Sequence, residues 1–305
     1  MRDVDVVVIG AGPAGEVAAG RLAEGGLQVV LVERELIGGE CSFWACMPTK
    51  ALLRPGELVR EAGRVPGTGL TGDGLDAAAV FARRDEVVHG FDDAQQLPWL
   101  EERDVVLLRG TARITGERTV QVGGEEVRAD RAVVLATGSE ATMPPVDGLA
   151  AARPWTSREA AAASAVPARL VVLGGGVVGV EFAQVFADLG SRVTLIEPGP
   201  RVLAREEEFA SAEVTAGLQE RGVDVRCATA APAVERRGDG VVVVRTEDGG
   251  ELEADELLVA AGRRPRTAGV GLEALGLAED EAPQTDDALR VAGHPWLFAV
   301  GDVNG

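Results

Sequence analysis

One thirty-residue pattern occurs twice in this chain, and few architectures accommodate it. "DVVVIGAGPAGEVAAGRLAEGGLQVVLVER" at residues 5–34 and "RLVVLGGGVVGVEFAQVFADLGSRVTLIEP" at residues 169–198 run the same course. Each is an apolar, β-branched strand, a glycine turn, an amphipathic helix and a second strand ending in an acid. The glycines are Gly10, Gly12 and Gly15 in the first copy and Gly174, Gly176 and Gly179 in the second; Glu33 and Glu197 each lie 23 residues past the first glycine. Alone, G-x-G-x-x-G is weak evidence. Twice over, between strand and helix and with the acid in place, it specifies two dinucleotide-binding βαβ units. The first glycine makes the turn, the second lets backbone N–H groups approach a pyrophosphate, and the third lets helix and strand pack closely. The acid accepts hydrogen bonds from a ribose hydroxyl.

The chain has 305 residues, enough for two domains with their own cores. The repeats imply an α/β protein of two Rossmann-like, three-layer domains. Between them the sequence suggests a Gly- and Pro-rich loop at 63–74, a helix over 76–96 and short strands at 105–114, 119–122 and 131–136. A linker, "EATMPPVDGL", follows, with a domain boundary near residue 152. Past the second repeat come a helix at 207–221, strands at 223–226 and 241–246, and a last apolar strand in "WLFAVGD".

A net charge of −19, from 49 acidic and 30 basic residues, argues against a nucleic-acid or anionic-membrane surface. No apolar run approaches the roughly 20 residues of a membrane span, and the N-terminal apolar run is too short for a signal peptide. The expectation is a cytoplasmic protein with small-molecule partners. Three cysteines (Cys41, Cys46, Cys227) and two histidines suit neither a disulfide framework nor a metal site, so no metal is expected. Lys50 is the only lysine. A chain so biased toward arginine keeps an ammonium at one place, where a planar guanidinium would not serve.

Lys50 closes the stretch "IGGECSFWACMPTK" at residues 37–50. In an ideal helix, residues five apart lie about 140° around the axis, with Cα atoms ~8.7 Å apart. A disulfide needs less than about 7 Å. Cys41 and Cys46 can therefore bond only across a distorted turn, with which Pro48 is compatible. Spacing alone leaves two independent buried thiols as good a reading. In a reducing compartment, a close pair that does bond is catalytic rather than structural.

"GGECSFWACMPTK" resembles the redox-active signature of the class I flavoprotein disulfide reductases, the family of lipoamide dehydrogenase, glutathione reductase and mercuric reductase. Its usual form is GGTCxNxGCxPSK. The resemblance continues through "ATGS" (136–139), "AAGRRPRT" (260–267) and "FAVGDVNG" (298–305), so it spans essentially the whole chain. It implies an FAD-binding domain at 1–152 and 277–305 and an NAD-binding domain inserted at 153–276. It also implies roles. Cys46 is the flavin-side thiol and Cys41 the interchange thiol; Lys50 approaches the flavin and pairs with Glu181. Asp302 binds the ribityl chain. Around the flavin stand Gly10, Gly12, Pro13, Ala14, Gly15, Glu33, Arg34, Gly39, Glu40, Ala112, Ala136, Thr137, Gly138 and Gly301. Around NAD stand Gly174, Gly176, Val177, Val178, Gly179, Glu197 and Gly262. Glu197 favours NADH over NADPH, with Arg201 nearby as the reason for doubt. The implied activity is electron transfer between NADH and a dithiol or disulfide. The alternatives are a diaphorase or quinone reductase working from flavin directly, and a non-enzymatic redox sensor.

Two departures bear on that reading. Phe43, Trp44 and Ala45 occupy the redox loop in place of its usual polar and small residues, narrowing access, offering an aromatic stacking surface, or packing in the core. Family members also continue past the "GD" strand into a domain that builds a homodimer and supplies a His-Glu pair. With nothing after Gly305, and with His89 and His294 poor substitutes, the expectation is a fragment lacking the dimerisation domain. Disulfide exchange is then impaired about 10²- to 10⁴-fold.

Overall fold

The structure, a computed structural model, describes residues 2–68 and 74–305. The centre of the loop expected at 63–74 lies outside them. The chain forms two compact units, Met1–Phe43 with His89–Glu140 and Arg263–Gly305, and Trp44–Val88 with Ala141–Gly262.

In the first unit the strand Arg2–Ile9 lies between Val29–Glu33 and Glu125–Leu135, parallel to both. Val106–Arg109 extends the parallel sheet on one side and Leu297–Ala299 on the other. The front half of Glu125–Leu135 instead runs antiparallel to Thr119–Val122, which pairs with Ala112–Gly116. A sheet covered on both faces favours a continuous apolar run, and the four apolar residues at 29–32 are all buried. Side chains alternate as a strand demands: Val7, Ile9, Val30 and Val32 join one core, and Val6, Val8 and Leu31 the other.

The second unit repeats the theme on a four-stranded parallel sheet, ordered Asp224–Arg226, Arg192–Ile196, Arg169–Leu173, Glu256–Val259. Its helix Val177–Asp188 is followed by the strands Arg192–Ile196 and Asp224–Arg226, and an antiparallel ribbon of Ala233–Arg236, Val242–Arg245 and Glu251–Ala254 then precedes the last strand of the sheet, Glu256–Val259. The helices Cys46–Gly63 and Ala77–Val87 also belong here, because Leu52, Leu53, Val80 and Phe81 share a core with Val180, Phe182 and Phe186. Arg60 reaches Asp188 at 2.7 Å, and Asp76 caps the second helix by accepting from the Ala78 and Ala79 N–H groups.

Several elements differ from the sequence expectation. The helix expected over 76–96 stops at Val87, since His89, Gly90 and Phe91 all adopt positive φ (50°, 63° and 60°). The strand expected at 105–114 is two, Val106–Arg109 and Ala112–Gly116, interrupted by Gly110 at φ 147°. The chain leaves the first unit after Glu140 and returns at Arg263, rather than at 152 and 276. The reason is local packing: Ile114 donates to the Val270 carbonyl at 2.7 Å, and Val270 and Leu272 are buried in the first unit's core.

Candidate active site

The two glycine turns are built almost identically. A Cβ on Gly10 would lie 2.4 Å from the Ala136 carbonyl oxygen, and one on Gly174 would lie 2.3 Å from that of Ala260. Both glycines have positive φ, 100° and 111°. Gly15 and Gly179 pack against the carbonyl of the turn glycine, so that a Cβ on either would fall 1.9 Å from that oxygen. Gly12 and Gly176 are different. Both have ordinary extended backbone, and a Cβ on either would meet nothing within 4 Å. Neither internal packing nor backbone strain requires glycine there. Both are N-caps with no side chain capping the helix, so no side-chain oxygen of the cap takes up the first-turn N–H groups. These residues fit a pyrophosphate at each helix N-terminus.

The acids confirm the internal symmetry. Glu33 accepts from the N–H groups of Ala11 (2.8 Å) and Glu35 (2.7 Å), and Glu197 from those of Gly175 (2.7 Å) and Gly199 (2.6 Å). Each carboxylate is thereby clamped between its glycine loop and the residues after its strand. A carboxylate has about four acceptor positions, so capacity remains for ribose hydroxyls. Arg201 donates to the carbonyls of Leu203 and Ala204, which commits it to its own loop.

The redox stretch begins on the first glycine loop. Gly38 donates to the Ala11 carbonyl at 2.7 Å, and Gly39 packs so closely on Gly12 that a Cβ would fall 2.8 Å from the Gly12 Cα. A short helix, Gly39–Phe43, carries Cys41, which is half-buried; a second, Cys46–Gly63, starts at the exposed Cys46. Ala45 between them has φ −136° and ψ −96°, which breaks the helix. Pro48 falls in the first turn of the second helix, where its missing N–H costs nothing. Phe43 is 2 % exposed and lies against Gly38, so it packs in the core. Trp44 has the Arg158 guanidinium 4.1 Å from its ring centroid, which covers one face.

In the second unit Lys50 Nζ donates to Glu181 Oε1 at 2.5 Å. Glu181 lies past the first turn of its helix, so the helix dipole does not account for it. With the lysine side chain 63 % exposed, the pair contributes little stability. Asp302 is exposed, next to Gly301, whose φ is 73° and whose Cβ would meet that of Ala14 at 2.8 Å. Asp302 thus stands beside the first glycine loop. Among the other expected residues, Ala112 and Ala136 are buried, Thr137 and Gly138 half-buried, and Arg34 exposed. Pro13 opens the first helix; Val177 is exposed and Val178 half-buried at the start of its counterpart, and Gly262 has φ 112°. Cys227 packs against the second unit's core, and burial pushes its thiol pKa up. His294 stands edge-on to Trp296.

The family model described as pyridine nucleotide-disulphide oxidoreductase matches residues 4–305. The chain belongs to this family. It is 39 % identical to a dihydrolipoyl dehydrogenase from Thermus scotoductus, covering 99 % of this chain and 67 % of that one. It is 32 % identical to a mercuric reductase from Staphylococcus aureus, covering 99 % and 56 %. Among solved structures it is similar to the HOCl-induced flavoprotein disulfide reductase RclA from Escherichia coli, with a TM-score of 0.87, 28 % identity, and coverage of 99 % and 66 %. The chain thus spans about two thirds or less of the length of these three relatives. The family uses FAD and NAD(H). Among the described residues no helix is long and apolar enough to cross a membrane.

Two features of this family site were not anticipated. Glu16, in the first turn of the Pro13–Glu24 helix, has its pKa pushed up from 4.5 to about 7 by burial and then by the Glu33 charge. Between those values the folded chain holds a proton that the unfolded chain has released, so stability falls as pH rises across that window and stays reduced above it. Glu16→Gln is therefore expected to be more stable than wild type by about 1 kcal/mol at pH 8.5, after discounting for partial exposure. The two should be equal at pH 4. Urea denaturation at both pH values checks this. The second feature is the set of contacts around Ser139, Arg263 and Arg266. Their signals, "ATGS" and "AAGRRPRT", were visible in the sequence, but nothing there shows which side chains meet.

Proposed function

We propose that this chain passes electrons between NADH and a small dithiol or disulfide, by way of bound FAD and a Cys41–Cys46 redox pair. When bound, the two cofactors supply the hydride and electron-pair chemistry. The observation that carries the reading is the packing of Gly39 on Gly12, because it seats the start of the redox stretch on the loop shaped for the flavin's pyrophosphate. Cys41 lies two residues beyond that contact.

In this reading Cys46 is the flavin-side thiol and Cys41 exchanges with substrate. Two electrons and two protons convert the disulfide into two thiols, and the reverse oxidises a dithiol. Lys50, fixed by Glu181, supplies a cation at the start of the second helix. Asp302 accepts from hydroxyls of the ribityl chain. The named relatives, a dihydrolipoyl dehydrogenase and a mercuric reductase, support an acceptor or donor that engages a thiol pair. A homodimer, typical of the family, and a cytoplasmic location that keeps the thiols in use belong to the same proposal.

The spectrum tests it directly. The protein should carry or take up a yellow flavin, and one equivalent of dithionite should produce a long-wavelength band from a thiolate against the ring. No flavin band after addition of FAD would refute the proposal.

Glu197 also supports NADH as the nucleotide, since its carboxylate accepts from a ribose 2′-hydroxyl but repels a 2′-phosphate. Glu197→Gln is expected to weaken NADH binding about tenfold and to narrow the preference over NADPH by at least as much. Titration with both nucleotides measures it.

A further inference from the structure

The chain crosses between its units on two short strands, Ser139–Ala141 leaving and Arg263–Pro265 returning, and these pair with one another. Thr137 Oγ1 donates to the Arg266 carbonyl at 2.6 Å, and Arg266 N–H to the Gly138 carbonyl at 2.9 Å. The register so set brings Arg263 over Ser139. Its Nε donates to Ser139 Oγ at 2.7 Å and its Nη2 to the Ser139 carbonyl at 2.8 Å. Ser139 Oγ in turn donates to Asp302 Oδ2 at 2.7 Å. The same Nη2 that donates to the Ser139 carbonyl is 3.7 Å from Glu40, the residue before Cys41, and Arg266 approaches Glu40 at 3.6 Å.

We infer that Arg263 is a positioning residue of the flavin site, acting through Ser139 on Asp302. The chemistry follows from the donor count. A serine hydroxyl has one proton and two lone pairs. With Arg263 donating to that oxygen, the proton is directed to Asp302, so the carboxylate accepts a charge-assisted bond at one oxygen and keeps the other for a ligand hydroxyl. The hydroxyl is 5 % exposed at the residue level, which keeps water from taking either role. Glu40 lies within ion-pair distance of the same Nη2, so the position of Arg263 is set by two elements of the first unit. A lysine could keep the charge near Glu40. It could not make the two-pronged contact with the Ser139 hydroxyl and carbonyl.

The inference rests on the assignment of Asp302 to FAD, and a double-mutant cycle on FAD affinity separates the two. FAD dissociation constants would be measured by flavin fluorescence for wild type, Arg263→Lys, Ser139→Ala and the double variant, with NADH binding as the check that each chain is folded. Either single change is expected to weaken FAD about tenfold, the worth of one charge-assisted bond. The double variant should be no weaker than about tenfold as well, since both changes break one relay. Ser139→Thr, which keeps the hydroxyl, should bind within about twofold of wild type and serves if Arg263→Lys does not fold. A double variant weakened about a hundredfold, or Ser139→Ala binding as wild type, would overturn the inference while leaving the functional reading intact. A wild-type chain that binds no FAD would overturn both.

Discussion

Gly179→Ala is expected to abolish NADH binding and to destabilise the second unit by about 2–4 kcal/mol. The added Cβ would fall 1.9 Å from the Gly174 carbonyl oxygen and 3.1 Å from its carbon. Because the obstacle is backbone in the same turn, no side-chain rotation relieves it. The turn must open, and the N–H groups it presents move with it. Gly176→Ala is the informative contrast. Its Cβ meets nothing in the protein within 4 Å, so stability should change by less than about 1 kcal/mol, the ordinary span of a surface change, while the methyl stands where the pyrophosphate approaches. Thermal denaturation and NADH titration of both variants test this. A Gly176→Ala chain that binds NADH as tightly as wild type would show that the space in front of the helix is not the phosphate site.

Cys46→Ser is expected to remove dithiol–disulfide turnover by at least about 10³-fold, the scale of losing a reacting sulfur. Reduction of a quinone by the same protein should stay within about threefold of wild type, because that reaction needs no cysteine pair. No second thiol is placed to substitute: Cys227 packs against the core of the second unit, and burial raises its pKa. Parallel assays with a dithiol substrate and a quinone measure the split. Disulfide turnover that survives the substitution would remove the cysteine pair from the mechanism; loss of both activities would place Cys46 in flavin binding instead.

Much of the dinucleotide-binding architecture is legible in residues 5–34 and 169–198, because the features that make a glycine turn are local. Three glycines, a β-branched strand before them and an acid after the next strand are all set within thirty residues. Side chains that meet only after folding are another matter. Glu16 lies 17 residues from Glu33 in sequence, and only the return of the second strand beside the first makes their charges interact. The helix expected over 76–96 failed for a related reason. Its composition suits a helix up to Gly90, where His89, Gly90 and Phe91 turn into left-handed backbone and the helix ends. Phe43 and Trp44 show the same limit. Sequence leaves them between substrate surface and core filler, whereas folding buries Phe43 against Gly38 and sets Arg158 over Trp44.

By itself the sequence determined which groups are available: two glycine loops, an acid 23 residues past the first glycine of each, a cysteine pair and a single lysine. Covalent spacing and backbone sterics are properties of neighbours along the chain. The tertiary structure alone decided which polar groups complete one another. Arg263, Ser139 and Asp302 are separated by 124 and 163 residues, yet one serine proton links them, because two crossing strands pair and a glycine at φ 73° turns the last carboxylate beside the first glycine loop. Hydrogen bonds require contact within about 3 Å, and contact between distant segments exists only after the chain has folded.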